Sequence, residues 1–352
     1  MDETIKVEVS VVKKKIKFIF LKLGLKEKDA QLMANALLDA EISGMESHGL
    51  MRLKPYVNGL QQKKINANPN IKITVHDSII KVDGDNGLGQ VVTSVAVDKC
   101  LEMAKKYGIS AAAVTRSNHF GTGAFYNNKI ASAGCIGFNA TSAGATVAPF
   151  GGVEKMLGTN PFGLAFPAIK ENFCADMATS VVAKGKIRIY EKKGREIPLG
   201  WALDKNGNTT TDAKAAIDGV LLPMSGHKGY ALGMIVDALA GLLTNSKLSC
   251  ETTPMFHSPE FANIGHFITI IDIEHFLPVS MFTGRAQNWF DKIRNSRTMD
   301  GQSILIPGEP EEIKRNQNME YVNVLISTME MINEYYNEAL KDFKAVSTIK
   351  TL

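Results

Sequence analysis

The strongest constraint on the fold is a change of hydrophobic period, repeated twice, between residues 89 and 144. The stretch "GQVVTSVAVDKCLEMAKKYG" (89–108) spaces its apolar residues as a helix does and closes on Gly108, a residue suited to a C-cap. "ISAAAVTRSNH" (109–119) reads as a short buried strand running into a loop. "GTGAFYNNKIASAG" (121–134) returns to helical spacing, and "CIGFNATSAG" (135–144) reads as a further strand. Helix, strand, helix, strand is the pattern of a layered α/β domain.

The flanking sequence differs in kind. Residues 9–23 and 28–60 read as helices, broken at Gly24 and interrupted near Gly44; Leu32, Ala36, Leu37 and Ile42 face inward. "NANPN" (66–70) is a loop signal, and "IKITVHDSIIKVDG" alternates as a strand pair. After residue 143 glycine and proline increase, with short strands expected at "FGLAFPA" and "RIYEK". A helix is expected at 229–243, a buried strand at 266–273, and helices at 282–296 and 319–343. At 352 residues the chain is long for one core. We expect residues 1–70 and 312–352 to pack as one helical subdomain formed by both chain ends. Residues 71–311 would form the α/β region, in one or two subdomains.

Bulk properties narrow the function. The net charge is +4, and the lysines are scattered apart from "VKKKIK", the wet face of a first helix. This composition gives no reason to expect a nucleic-acid partner. Cys100, Cys135, Cys174 and Cys250 form no CxxC pair and read as reduced cytosolic thiols. The seven histidines show neither HxH nor HExxH spacing, so no protein-held metal is expected. Asp2 and Glu3 open the chain without a signal-peptide core, and no apolar run approaches the ~20 residues of a membrane helix.

Several segments carry chemistry. In "ESHGLMRLKPY", His48, Arg52 and Tyr56 lie four apart and would share one helix face beside Ser47, although Gly49 and Pro55 interrupt a helix. In "TRSNHFGTGAFY", His119 sits where a strand ends in an α/β layer, a usual place for ligands. The glycines after it admit a ligand to the backbone, and the helix start favours an anion. Asp176 in "ADMATSVVAKGK" suits either a ribose hydroxyl or a helix cap. Lys228 stands at a helix N-terminus, where its charge is unfavourable. It either points into solvent or shares a phosphate with that helix. The dinucleotide fingerprint G-x-G-x-x-G is missing: Gly121 and Gly123 lack their third glycine because Tyr126 stands there.

In order, "SHG…R…Y", "NHFG", "APFGG", "LGTNPFG", "DMATS", "IPLGWALDKNG", "HKGYALGM" and "PGEPE" resemble the malate/L-lactate dehydrogenase family of non-Rossmann type. That family includes ureidoglycolate, sulfolactate and Δ1-piperideine-2-carboxylate enzymes. The resemblance spans roughly residues 32–311. It implies a cytosolic homodimer with NAD, or alternatively NADP, bound outside a Rossmann domain, and a small carboxylic acid substrate, malate/oxaloacetate first. Arg52 would clamp the substrate carboxylate with a bidentate fork. His48, oriented by Ser47, would move the proton, with His119 the rival acid/base. Tyr56, Thr159, Lys184 and Gly185 match substrate-side positions. Phe120, Gly121, Thr122, Gly123, Ser142, Asp176, Met177, Ala178, His227, Lys228, Pro307, Gly308 and Glu309 match cofactor-side positions.

Three positions depart from the family pattern. Lys186 stands where imine reductases carry Asp, Ala231 replaces a common Gly, and "TSAGATVAP" is one residue longer than usual. Two other classes were weighed. A serine hydrolase on Ser47 and His48 has no G-x-S-x-G elbow. A non-catalytic binding protein would have no use for Ser47, His48, Arg52, His119 and Lys228 together.

Overall fold

The computed structural model describes residues 3–252 and 261–349. Asp2, part of the acidic start noted above, lies outside them. The first half runs β1 (Thr4–Glu8), α1 (Val9–Lys22), α2 (Glu27–Ile42), α3 (Leu53–Gln61), β2 (Lys72–His76), β3 (Ile79–Asp83), α4 (Gly89–Tyr107), β4 (Ile109–Ser117), α5 (Gly123–Ser132) and β5 (Cys135–Thr141). Then come β6 (Phe162–Phe166), β7 (Phe173–Met177), α6 (Lys184–Lys192), β8 (Ala202–Leu203), α7 (Ala213–Asp218), β9 (Val220–Leu221) and α8 (His227–Asp237). The chain ends with β10 (Ile264–Asp272), α9 (Val279–Arg294), α10 (Glu309–Gln317), β11 (Tyr321–Leu325) and α11 (Ile326–Ile349).

The α/β alternation folds as its periodicity requires. Helix α4 buries Val92, Ala96, Val97, Cys100, Met103 and Ala104, one face at helical spacing. It ends on Gly108, whose φ of 84° lies in the left-handed region. From Ser110 to Val114 every second residue of β4 is buried, and Ala112 and Val114 meet α4 in one core with Ile80, Ile268 and Ile270.

The main sheet has the order β2-β3-β4-β10-β5-β6-β7. Only β3 and β4 run parallel as neighbours; β10 lies between β4 and β5, antiparallel to both. The carboxyl ends of β4, β5 and β7 therefore meet the amino ends of β10 and β6 at one edge. Ser117 faces Ile264, Thr141 faces His266, and Met177 faces Phe162.

A second core gathers both chain ends. Val12, Ile16, Phe20, Met33, Leu37, Leu50, Leu53 and Tyr56 pack with Val322, Val324 and Ile332. This part is not purely helical, as β1 pairs antiparallel with β11, Ile5 opposite Val324. The helix expected over 319–343 thus begins only at Ile326. Val322 and Val324 alternate into the core while Tyr321 and Asn323 stay exposed, a strand's period too short to stand out beside a long helix. The strand expected at "RIYEK" is part of α6. Ile187 and Tyr190, three apart, pack inward while Ile189 is exposed, which is helical spacing.

The seam between the cores is tight at Gly89. A Cβ there would lie 2.1 Å from the Asn118 carbonyl oxygen and 2.4 Å from that of His119. Both are backbone atoms, so they yield only if the strand end moves. Gly89→Ala should cost about 1–3 kcal/mol, as overpacking does, and push the His119 loop off α4. Urea unfolding would measure the first effect and loss of turnover the second. A variant with unchanged stability and activity would show that the contact relaxes freely.

Candidate active site

The polar segment after α2 is not one helix. Glu46–His48 and Leu50–Arg52 are two 3-10 turns separated by Gly49 at φ −85° and ψ −142°, and only Tyr56 lies in α3. The four-residue spacing therefore does not place His48, Arg52 and Tyr56 on one helix face. The break still brings them to one place. Ser47 Oγ lies 2.9 Å from His48 Nδ1, and Arg52 Nε donates to the Ser47 carbonyl at 2.6 Å. No described residue engages the two terminal nitrogens of Arg52, which leaves a fork for an anion.

His119 arrives from the end of β4. Its ring stacks on His48, with centroids 5.4 Å apart and planes at 24°. Tyr56 Oη lies 2.7 Å from His119 Nδ1, and Gln90 Nε2 donates to Tyr56 Oη at 2.6 Å. The Gly121 N–H points at the same Nδ1 at 3.4 Å. Burial pushes the Tyr56 hydroxyl up to about 12, so it keeps its proton and donates. Two donors converging on Nδ1 assign the ring proton of His119 to Nε2.

Both imidazoles are neutral at pH 7. Burial and then the Arg52 cation push His48 down to about 4. Burial, Arg52, His48 and His266 together hold His119 well below the ordinary histidine range. His266 lies behind them, its ring stacked on Phe120 at 4.8 Å and its nitrogens 2.8 Å from Thr141 Oγ1 and 2.9 Å from Ser117 Oγ. Sequence reading missed Gln90 and His266. Gln90 has one faint signal, a long amide in the first turn of an otherwise apolar helix.

Beside α5 a cavity of about 950 Å3 is lined by Thr122, Asp176, Met177, Pro307, Gly308 and Arg315, among others. Five of these are cofactor-side positions by resemblance. Gly308 is left-handed at φ 95°, and a Cβ on it would come 3.0 Å from Cys174 Cβ. Ser142, just after β5, has a buried hydroxyl without a hydrogen-bond partner among the described residues. Such an orphan suits a polar ligand. Phe120, Gly121 and Gly123 connect His119 to α5, and Ala178 follows Met177 out of β7.

Two of these positions also have partners within the chain. The start of α5 already carries an anion: Ala124 N–H donates to Asp176 Oδ2 at 2.9 Å. Asp176 is thus a cap reaching across from β7, its pKa raised by burial against the pull of those amides. Glu309 accepts Ile306 N–H at 2.8 Å and pairs with Arg294 at 2.9 Å, outside the cavity lining.

No described hydrogen bond or ring contact joins the remaining positions to His48 or His119. The Thr159 carbonyl accepts Thr179 N–H at 2.8 Å, which fixes the exit of β7. His227 and Lys228 are exposed at the start of α8, and Met224 N–H ties that turn to the Thr179 carbonyl at 2.9 Å. Lys184 and Gly185 open α6. The Lys184 ammonium is lowered by burial, then by Lys155 and Arg188. No described hydrogen bond or ion pair joins it to His48 or Arg52. Among the described residues no cluster of His, Cys, Asp and Glu could hold a metal ion. Among them, too, no helix is long and apolar enough to cross a membrane.

Known proteins resemble this chain in sequence and in fold. Residues 7–332 match the family model described as malate/L-lactate dehydrogenase. A malate dehydrogenase of Pyrococcus abyssi is 42% identical over 301 residues, 83% of this chain and 83% of that protein. An L-sulfolactate dehydrogenase of Methanocaldococcus jannaschii is 36% identical over 330 residues, 93% of this chain and 95% of that one. A solved structure of sulfolactate dehydrogenase from that organism superposes with a TM-score of 0.91 at 34% identity, covering 95% of this chain and 97% of that chain. The structure of malate dehydrogenase from Pyrococcus horikoshii gives 0.87 at 34% identity, covering 96% of each.

The Tyr56 relay makes a prediction. Tyr56→Phe leaves Gln90 Nε2 and His119 Nδ1 buried without their bond, which should cost about 1–3 kcal/mol. Imidazole nitrogen-15 NMR should show His119 protonated on Nε2 in the parent and mixed tautomers in the variant. An unchanged spectrum would mean that Tyr56 does not set the tautomer.

Proposed function

The chain belongs to the malate/L-lactate dehydrogenase family and is a dehydrogenase; on that premise we propose that it interconverts malate and oxaloacetate. L-lactate, ureidoglycolate and a cyclic imine are the alternative substrates. The observation that carries the reading is Arg52, its fork free, beside the stacked His48 and His119. A nicotinamide dinucleotide, when bound, supplies or accepts the hydride. The protein holds the acid and moves the proton. Arg52 takes the C1 carboxylate in two parallel hydrogen bonds. His119, its Nδ1 occupied, presents Nε2–H as a fixed donor to the substrate oxygen.

That leaves His48 as the acid/base. The Ser47 hydroxyl can donate to His48 Nδ1 or accept from it, because a serine rotor suits either tautomer. With Nδ1–H donating to Ser47, Nε2 of His48 is free to take the alcohol proton. The malate preference rests on the likeness to the archaeal malate dehydrogenase. Against imine reduction, Lys186 stands where those enzymes carry Asp, and its ammonium lies over the Trp201 ring at 5.3 Å.

Thr122, Asp176, Met177, Pro307 and Gly308 would hold the adenosine side of the cofactor on a mixed sheet that lacks the G-x-G-x-x-G fingerprint. NAD is preferred over NADP. The arginine lining the cavity, Arg315, is already held by Asp39 at 3.1 Å and by Glu312, so it offers little to a 2′-phosphate. A cytosolic homodimer fits the apolar outer face of α8, where Met234 and Ile235 are about half exposed.

NADH oxidation assayed with oxaloacetate, pyruvate, 2-oxoglutarate and piperideine-2-carboxylate tests the substrate. Oxaloacetate should give the highest kcat/KM, and a higher value for the imine would overturn the reading. Arg52→Lys should raise KM strongly, losing about 2–4 kcal/mol of transition-state binding. Near-parent constants would free Arg52 of the carboxylate.

The pH dependence has a definite sign. Malate oxidation needs neutral His48, so kcat/KM should fall as pH drops through about 4. A carboxylate on Arg52 offsets the charge that depresses His48. The acid limb of kcat should therefore lie at higher pH than that of kcat/KM. Coincident limbs would remove His48 from the proton step.

A further inference from the structure

We infer that Glu41 is a positioning residue for this reaction: its buried carboxylate fixes the backbone from which His48 and Arg52 project. The inference rests on the proposed roles of those two residues.

Glu41 ends α2 and is 6% exposed. Its Oε2 accepts the Leu50 N–H at 2.8 Å. Leu50 opens the second 3-10 turn, two residues after His48 and two before Arg52. The contact is closer than a single hydrogen bond implies. A Cβ at Gly49 would lie 2.1 Å from Glu41 Oε2 and 3.2 Å from its Cα. Only glycine lets the chain settle against the carboxylate at the point where the two turns break. Gly49 in turn sets both neighbours: its N–H donates to the Glu46 carbonyl at 3.0 Å, and its carbonyl accepts Arg52 N–H at 3.0 Å.

The carboxylate has no described cation beside it. Burial raises its pKa to about 7, the Leu50 amide opposes that rise, and the Glu46 carboxylate adds to it. A group held at such a cost without an ion pair needs a local reason. The Leu50 amide is that reason. It is a donor at the start of a turn, buried where water does not reach, and it needs an acceptor. Leu50 itself is fully buried, which pins the segment from the other side. Arg52 then reaches back to the Ser47 carbonyl, closing the loop around Gly49. Ser47, His48 and Arg52 therefore inherit their positions from one acceptor oxygen on α2.

The test compares Glu41→Gln with Glu41→Leu in the full-length protein. Glutamine keeps an acceptor at the same reach; leucine keeps the bulk and removes the acceptor. Glu41→Leu should raise KM for oxaloacetate at least tenfold and lower kcat, while NADH affinity by fluorescence titration changes less than twofold. Glu41→Gln should recover most of that loss. Hydrogen exchange read on peptides spanning residues 46–52 should quicken in Glu41→Leu and stay slow in Glu41→Gln, with the rest of α2 unchanged. This readout needs no substrate. A folded Glu41→Leu protein with parent KM and parent exchange at 46–52 would overturn the inference. Equal impairment of both variants would also overturn it, since charge rather than an acceptor would then matter. If the parent turns over no 2-oxo acid while the exchange result holds, the proposed function fails and the role of Glu41 in holding the segment stands.

Discussion

One phenol oxygen joins the two halves of this molecule. Tyr56 is buried in the core that gathers both chain ends, yet its hydroxyl bonds Gln90 at the start of α4 and His119 at the end of β4. Helix α4 straddles the same seam: Leu88 and Val91 pack with the chain ends, while Val92 and Ala96 pack against the sheet. The site therefore lies between two cores rather than on either one. The segment that carries His48 and Arg52 comes from one and His119 from the other. An error in their docking falls directly on the His48–His119 stack. Catalytic geometry of this kind tolerates little displacement.

The sheet explains why residues so far apart in sequence converge. With β10 inserted antiparallel between β4 and β5, those two strands end on the same edge, and His119 and Ser142 leave it side by side with the start of β10. His266 fills the space behind, bonded to hydroxyls from both flanking strands. Burial and Arg52 act in the same direction on His48 and His119. Arg52 is thus a cation beside neutral imidazoles, which suits the capture of an anion before any proton moves.

Much of this was legible in the sequence where the signal is local. The alternation from α4 to β5 follows from side-chain period alone, and Gly108 marks the end of α4 as its left-handed φ requires. The order of motifs identified the family. What stayed hidden depends on partners distant in sequence. Val322 and Val324 read as part of a helix because β1, which makes them a strand, lies more than three hundred residues earlier. Gln90 and Glu41 are ordinary helix residues until Tyr56 and Leu50 are placed beside them. His48 and Arg52 were grouped correctly for the wrong geometric reason. The i, i+4 spacing suggested a helix face, whereas a break at Gly49 brings them together.

Among the cofactor-side positions, a buried carboxyl occupies the place most evident for a phosphate. A helix start after a glycine-rich turn is an evident place for a dinucleotide phosphate. At α5 that place is taken by Asp176, whose carboxylate accepts the Ala124 N–H. A pyrophosphate there would compete with the Asp176 carboxyl for the same helix-start amides. On the proposed reading the phosphates therefore lie away from the α5 start. The α8 start suits them better: Lys228 and His227 are exposed there, and the Met224 amide holds their turn at the exit of β7. An anion between Lys228 and the α8 amides would be attracted by both, which turns an unfavourable lysine into a binding group. Asp176 then has a second part to play. Its bond across to the start of α5 ties β7 to the turn that follows His119, beside the cavity that Thr122, Asp176 and Met177 line.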